Sequence, residues 1–489
     1  MAILKDLRPA DVFSYFEVIC SIPHGSWNEK ALSDHILGWA RDLGLEAVQD
    51  EMWNLVIKKP GSAGREDFAP VMIQAHIDMV CEKNNDVEFD FETQGLDIYV
   101  DGDFVKARGT TLGGDNGIAV AMAMAILADN SLEHPPLEIV LTTVEEAGMD
   151  GARAVDAGLL SGKRFINVDN AEEGVFLTGC AGGAAVKISL PLADMPLPGA
   201  DFAAFTIFVG GLKGGHSGMD IHLERGNSNK ILGRVLASLK TPFHIMDVAG
   251  GSKDNAIPRE AWAKIFVKPA DGGALALEVA EIEAALKAEF KTADPGVFVR
   301  LDGKPMGRQS SLPSGTRVFA PETKEAAISL LLLTPFGVDH FSMDFPGLVE
   351  TSNNLGVVRV IDGELVLTCA VRSSVESRKL ALCQRIERLA EALGAKATVS
   401  DGYPGWAYSP ESALRETFKK VYFEKYGKDA TIVAIHAGLE CGVFAEKIGG
   451  LDMISFGPNM FDLHTPDERV SISSVERCYD FFKSVLKVL

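Results

Sequence analysis

Apolar and polar positions along the first third of the chain fall into short buried-strand patterns that end in acidic or imidazole side chains. Leu137–Val144 (LEIVLTTV) is a run of β-branched and apolar residues, and it breaks into Glu145, Glu146 and the glycine-bearing turn of VEEAG. APVMIQAHIDMV has the same texture and ends in His76 and Asp78, which a strand would place two apart on one face. RFINVDN reads as a further strand, ending in Asp169. Between these runs, GTTLGGDNGIAVAMAMAILADN sets a glycine-rich turn, carrying Asp115 and Asn116, directly before a strongly helical Ala/Met/Ile segment. In open α/β sheets, sites form at the carboxyl ends of strands, and His76, Asp78, Glu145, Glu146 and Asp169 all fall there.

The flanking patterns supply the rest of the architecture. Arg8–Cys20 and Trp27–Leu43 read as amphipathic helices, the second closed by Gly44 as a C-cap, and Leu45–Lys58 reads as a hairpin. From about Gly183 the texture changes to alternating strands such as DFAAFTIFVGGL, WAKIFVKP and GELVLTCAVRS, with helices at LALEVAEIEAALKAEF and KEAAISLLLL. After GYPGW the amphipathic-helix texture resumes. TIVAIHAGLECGVF and LDMISFGP read as strand–loop elements, His464 lies in the loop PNMFDLHTPDERV, and a Ser-capped helix with a 3.6-residue apolar stripe ends the chain. The fold expected is α/β, with residues 1–183 as the first part of one domain, 184–402 as an inserted α+β domain, and 403–489 completing the first.

At 489 residues the chain is long enough for two or more domains. A net charge of −21 argues against nucleic acid or an anionic membrane as partner, since phosphate recognition needs clustered Lys and Arg. The seven cysteines are scattered and form no C-x-x-C pair, a usage that fits a reducing compartment. The N-terminus lacks the plan of a signal peptide, and no apolar run approaches the roughly 18 residues of a membrane span. A cytoplasmic protein is expected.

Taken together, His76, Asp115, Glu146, Asp169 and His464 offer two imidazoles and three carboxylates, enough for two divalent ions that share one bridging carboxylate. Singly, each has an ordinary reading: H-x-D fits a core histidine beside a capping aspartate, Asp115 and Asn116 fit a helix N-cap, and the Glu pair fits a solvated strand end. Nitrogen and oxygen donors without thiolates suit zinc, with cobalt or manganese as alternatives, in a hydrolytic rather than structural site. Two ions about 3.5–4 Å apart can share a water, lower its pKa and polarise a carbonyl. Glu145, next to Glu146, is then placed to take the proton of that water, and Asp78 to orient the His76 imidazole.

AHIDMV, the GGDNG turn, VEEAG, the NVDN strand end and the late histidine resemble the zinc-dependent exopeptidase family of carboxypeptidase G, succinyl-diaminopimelate desuccinylase, aminoacylase and carnosinase. GGHSG, NAIPRE, GLVETSNNLG, HAGLECG and HTPDERV look like its branch of bacterial aminoacyl-histidine dipeptidases. The resemblance runs from the first helix to the last. It implies a two-metal peptidase domain, with a mixed central sheet flanked by helices, and the insert as its lid. It further implies that His76 and Asp169 carry one ion, Glu146 and His464 the other, that Asp115 bridges, and that Glu145 is the general base.

In the insert, His216 of GGHSG resembles the histidine that donates to the tetrahedral oxyanion, and Asn255 and Arg372 resemble residues that bind the substrate's backbone and free carboxylate. Glu440, in the HAGLECG loop, could meet the substrate's free amine, or simply be an exposed loop acid. The activity implied is hydrolysis of unblocked dipeptides, with a C-terminal histidine as one candidate preference that Phe336 and His340 in TPFGVDHFSMDF do not clearly support. A homodimer is also implied. Two alternatives stay open: an amidohydrolase of N-acyl amino acids on the same site, and an inactive binding protein on the same fold.

Overall fold

The structure, a computed structural model, describes residues 3–199, 201–303, 315–400 and 402–489. The chain divides into two compact units, one of Met1–Cys180, Trp406–Ala434 and Leu439–Leu489, the other of Ala181–Gly405 and Ile435–Gly438.

The first unit is built on an eight-stranded mixed sheet. Its spatial order is Glu46–Gln49, Leu55–Lys59, Leu137–Thr142, Val71–His76, Arg164–Asn167, Asp452–Ser455, Val175–Cys180 and Thr431–Ile435. The four strands from Leu137–Thr142 to Asp452–Ser455 run parallel to one another. Val71–His76 and Leu137–Thr142 are buried at every residue, which is why they read as continuous apolar runs rather than alternating ones. The helix Gly114–Ala128 is buried almost all round, its small Ala faces admitting close neighbours. The last helix, Ile472–Val488, is capped by the Ser471 side chain, which accepts the Ser474 amide. It buries Val475, Cys478, Phe481, Phe482 and Val485 on one stripe. Phe176, Phe418, Phe456 and Phe481 meet at ring separations of 5.4–5.9 Å, mostly edge to face, the geometry that the ring quadrupole favours. A smaller four-stranded sheet pairs Arg469–Ser471 with Phe104–Ala107 and so ties the chain just after His464 to the segment before the GGDN turn.

The second unit holds a nine-stranded antiparallel sheet with its own core. Its central strands, Val349–Ile361 and Glu364–Ser373, pair with each other over most of their length, and the second also pairs with Gly182–Pro191.

Several local expectations shift. The second helix begins at Lys30 rather than Trp27, because Trp27 takes a left-handed backbone (φ 72°) that no helix continues. TIVAIHAGLECGVF is not strand and loop throughout: the strand stops at Ile435, and Glu440–Ile448 is a helix. Burial of Cys441, Val443 and Phe444 on that helix overrides the weak helical propensity of Gly442 and the β-branched Val443. All seven cysteines carry free thiols, only Cys81 being exposed. No helix among the described residues is long and apolar enough to cross a membrane.

Candidate functional site

The parallel strands of the first unit deliver their terminal side chains to one place. His76 is the last residue of its strand, and Glu145, Glu146 and Asp169 follow two others within a few residues. Asp115 opens the helix Gly114–Ala128 with non-helical backbone angles, behind Gly113, which takes a left-handed φ of 66°. The Asp115–Asn116 peptide is cis. His464 arrives from the loop between the two strands Met460–Phe461 and Arg469–Ser471.

Asp115 lies between the two imidazoles. Its Oδ1 is 3.3 Å from His76 Nε2 and its Oδ2 is 3.3 Å from His464 Nε2. Each imidazole also faces a carboxylate of its own: His76 Nε2 is 3.7 Å from Asp169 Oδ1, and His464 Nε2 is 2.9 Å from Glu146 Oε1. Donor atoms of His76, Asp115 and Glu146 all lie within 4.8 Å of one another. On its other side, His76 Nδ1 lies 3.0 Å from the Asp78 carbonyl and 3.4 Å from Asp78 Oδ1. Two acceptors there hold a proton on Nδ1, so Nε2 is the nitrogen turned toward the acids, the orientation a metal-ligating histidine requires.

Asp78 does more than turn an imidazole. Its two oxygens accept the backbone amides of Glu145 (2.9 Å) and Glu146 (3.1 Å), and Oδ2 also accepts the Ser26 hydroxyl at 2.8 Å. The same carboxylate therefore sets both the histidine and the glutamate pair. The turn before that pair puts buried Val144 at φ 56°, a costly backbone for a β-branched residue, and its amide is held by the buried Glu29 at 3.0 Å. Asn116 bridges the strand ends as well, accepting the His76 amide at 3.3 Å and donating to the Val168 carbonyl at 2.7 Å.

The charges are unbalanced. Burial opposes ionisation of Asp115, yet hydrogen bonds from His464 and His76 override it and hold Asp115 well below the usual carboxylate range. Asp115 and Glu146 push the His464 imidazole up to about 10. Burial, reinforced by Asp115, pushes Asp169 up to about 7. Glu145 is raised well above the carboxylate range, by desolvation first and, beyond the opposing pull of His76, by Asp169, Glu440 and Glu146. Five carboxyl groups thus surround two imidazoles, and further positive charge at their centre would relieve the repulsion among them. The donor set, nitrogen and oxygen with no thiolate, fits divalent cations of the zinc, cobalt or manganese type.

Glu440 corrects the expectation of a loop acid facing solvent. It is the first residue of the helix Glu440–Ile448 and wholly buried, with Oε2 accepting from Gln74 at 2.5 Å and from Thr142 at 2.7 Å. Gln74 in turn accepts from Asn167 at 2.6 Å, so the acid belongs to a polar network among the central strands.

In the second unit, Gly215–His216 pairs with Ala256–Ile257, so GGHSG and NAIPRE form one short ladder. His216 Nδ1 accepts the amides of Gly218 (3.2 Å) and Met219 (3.0 Å), which fixes the tautomer with the proton on Nε2. The Asn255 carbonyl accepts the Ser217 amide at 2.8 Å. Arg372 and Asn255 both line a cavity of about 270 Å³ together with Tyr403. Phe336 packs against the small apolar cluster of Ile221, Ile257 and Val349, and His340 is exposed and pairs with Asp339 at 2.8 Å.

Sequence reading passed over Glu29 and Glu468, and took Asn116 only for part of a helix N-cap. All three are buried polar groups that meet backbone amides or carbonyls distant in sequence; Glu468 lies inside the quoted string HTPDERV and Asn116 inside GGDNG, but neither string shows those partners.

The chain is 40% identical over 489 residues, all of this chain and 99% of the other, to the cytosol non-specific dipeptidase of Escherichia coli (strain K12). Its structure matches that of aminoacylhistidine dipeptidase from Vibrio alginolyticus with a TM-score of 0.90 at 37% identity, covering 99% of this chain and 98% of that one. A tripeptidase from Staphylococcus aureus shares the fold at 15% identity and a TM-score of 0.56, over 99% and 98% of the two chains. The profile of Peptidase family M20/M25/M40 matches residues 72–488, which takes in every strand end that converges on Asp115. A mixed α/β fold shared nearly end to end with two proteins named as dipeptidases, and a family profile that matches residues 72–488, make this chain an enzyme of Peptidase family M20/M25/M40.

Proposed function

We propose that the protein is a metal-dependent dipeptidase that hydrolyses unblocked dipeptides. The observation that carries this reading is the position of Asp115, one oxygen toward His76 and the other toward His464, with Asp169 and Glu146 each beside one imidazole. His76, Asp169 and Asp115 would hold one divalent ion, and His464, Glu146 and Asp115 a second. When bound, such ions polarise the scissile carbonyl and make water a better nucleophile.

The chain's own residues do the rest. Glu145 takes the proton of the attacking water and passes it to the leaving amine, a role that suits a carboxylate whose buried surroundings raise its affinity for a proton. Asp78 fixes the direction of that carboxylate through the Glu145 amide. His216, with its proton on Nε2, donates to the oxyanion, and Arg372 and Asn255 bind the substrate's carboxylate and backbone. Glu440 is given no substrate contact, because its carboxyl is wholly buried and its Oε2 is held by Gln74 and Thr142. Zinc as the ion and a homodimer belong to the same reading, as the family resemblance implies. So does a cytosolic location, which the name of the Escherichia coli relative supports.

Elemental analysis and a panel of dipeptides, free and N-acetylated, test the proposal. About two divalent ions per chain, reversible loss of activity on chelation, and preference for free dipeptides are expected. Preference for N-acetylated substrates would make the protein a deacylase. Inertness toward both, with metal bound, would make it a binding protein.

A further inference from the structure

The second unit contains a buried cation and a buried imidazole that the protein itself leaves incompletely answered. Arg372, 9% exposed, donates through Nη1 to the Tyr403 hydroxyl at 2.8 Å and through Nε to the Ser217 hydroxyl at 3.4 Å, both neutral partners. Among the described residues no carboxylate pairs with it. His436, 4% exposed, stands in HAGLECG, and its Nε2 lies 2.7 Å from Ser352 Oγ. Its Nδ1 is buried with no hydrogen-bond partner. Gly218 marks where these groups come together. A Cβ there would overlap the His436 carbonyl oxygen and lie 3.2 Å from both Arg372 Cδ and His216 Cε1.

Burial, followed by the positive charge of Arg372 and the neighbouring His216 and His222, presses the His436 pKa down to about 3, so the ring is neutral at any working pH. The Ser352 hydroxyl can donate to Nε2 or accept from it, and where it donates, the neutral ring carries its own proton on Nδ1. That tautomer makes Nδ1 a buried N–H donor without an acceptor, in a residue whose carbonyl borders Gly218 together with the Arg372 side chain. A buried charge without a counter-charge and a buried donor without an acceptor are both costly, and one ligand with two anionic oxygens satisfies both.

We propose that His436 is a specificity-determining residue that donates through Nδ1–H to the free carboxylate of the dipeptide, beside Arg372, with Ser352 holding its tautomer. The proposal rests on the dipeptidase reading and deepens it: His436 makes the site demand an unblocked C-terminus.

The test compares kcat/KM for a free dipeptide with that for the same dipeptide carrying a C-terminal amide. Competitive Ki values replace it where the amide turns over too slowly. In His436→Gln the side-chain amide can still meet Ser352 but offers nothing at the Nδ1 position, and discrimination between acid and amide should fall about 10–100-fold, chiefly through KM. In His436→Asn the side-chain amide reaches the Nδ1 position and should restore much of it. Ser352→Ala, which frees the tautomer without removing the ring, should give an intermediate loss. Equal losses on acid and amide would assign His436 a structural role and overturn the proposal, as would unchanged discrimination in both His436 variants. If the wild-type protein cleaves no free dipeptide, the dipeptidase reading fails instead, a result visible before any variant is made.

Discussion

Glu468 holds Asp115 by its backbone. The Glu468 carboxylate, buried and 2% exposed, accepts four consecutive amides of the turn before the helix: Leu112 at 2.8 Å and Gly113 at 3.2 Å on Oε2, Gly114 at 2.8 Å and Asp115 at 3.3 Å on Oε1. Such a run of converging amides is an anion-binding nest, here filled by the protein's own side chain. Since Glu468 lies four residues after His464, the loop that carries one imidazole also fixes the aspartate between both. Glu468→Gln keeps the shape but replaces one acceptor oxygen with a donor that faces two amides. The expected outcome is a metal affinity lowered by about 10–100-fold, measured by competition with a chromogenic chelator, as for other groups that orient ligands without touching the ion.

Glu145 and Glu146 are adjacent but should fail differently. Glu146 faces His464 at 2.9 Å within the donor cluster, whereas Glu145 carries the raised pKa of a group suited to proton transfer. Glu145→Ala should keep its metal and lose about 10²–10⁴-fold in kcat. Glu146→Ala should lose metal affinity, measured by elemental analysis after gel filtration. Equal metal loss in the two variants would mean the roles are misassigned.

His216→Ala should lower kcat by about 10²–10³-fold with KM and metal content little changed, the pattern of an interaction made in the transition state. Gly218→Ala makes the contrasting case. Its new methyl collides with the His436 carbonyl and crowds Arg372 and His216, so it should disturb KM and kcat together. Steady-state kinetics on one free dipeptide separates the two outcomes.

His436 supplies a pH signature away from the metal. Its folded pKa of about 3 lies below the ordinary histidine value of 6.5, so the unfolded chain binds this proton more readily than the native protein does. The stability tied to its neutral form is complete above pH 6.5 and is lost as pH falls from 6.5 toward 3. Denaturant titrations of metal-free wild type and His436→Gln at pH 7.5 and 4.5 should show the wild type losing more stability on acidification. Equal losses would mean that the imidazole is not held neutral.

How much of this was legible in the chain follows from the range of the forces involved. That Val71–His76 and Leu137–Thr142 are buried strands is local: β-branched and apolar runs with acids or imidazole at the end require only a strand period and a sheet with both faces covered. His76, Glu146 and Asp169 could be singled out because parallel strands all present their carboxyl ends to one edge, so terminal side chains from distant segments converge. Asp115 and His464 are marked instead by the GGDNG turn and the loop PNMFDLHTPDERV, through the family resemblance. The helix Glu440–Ile448 could not be read, since its propensity is poor and only the buried face of Cys441, Val443 and Phe444 makes it form. Nor could the burial of Glu440, whose partners Gln74 and Thr142 belong to strands 298 residues away and more. The same holds for the carboxylates of Glu468, Asp78 and Glu29, each spent on backbone amides of another segment. A backbone amide has no side-chain signature, so which acid answers it is decided only when the chain has folded.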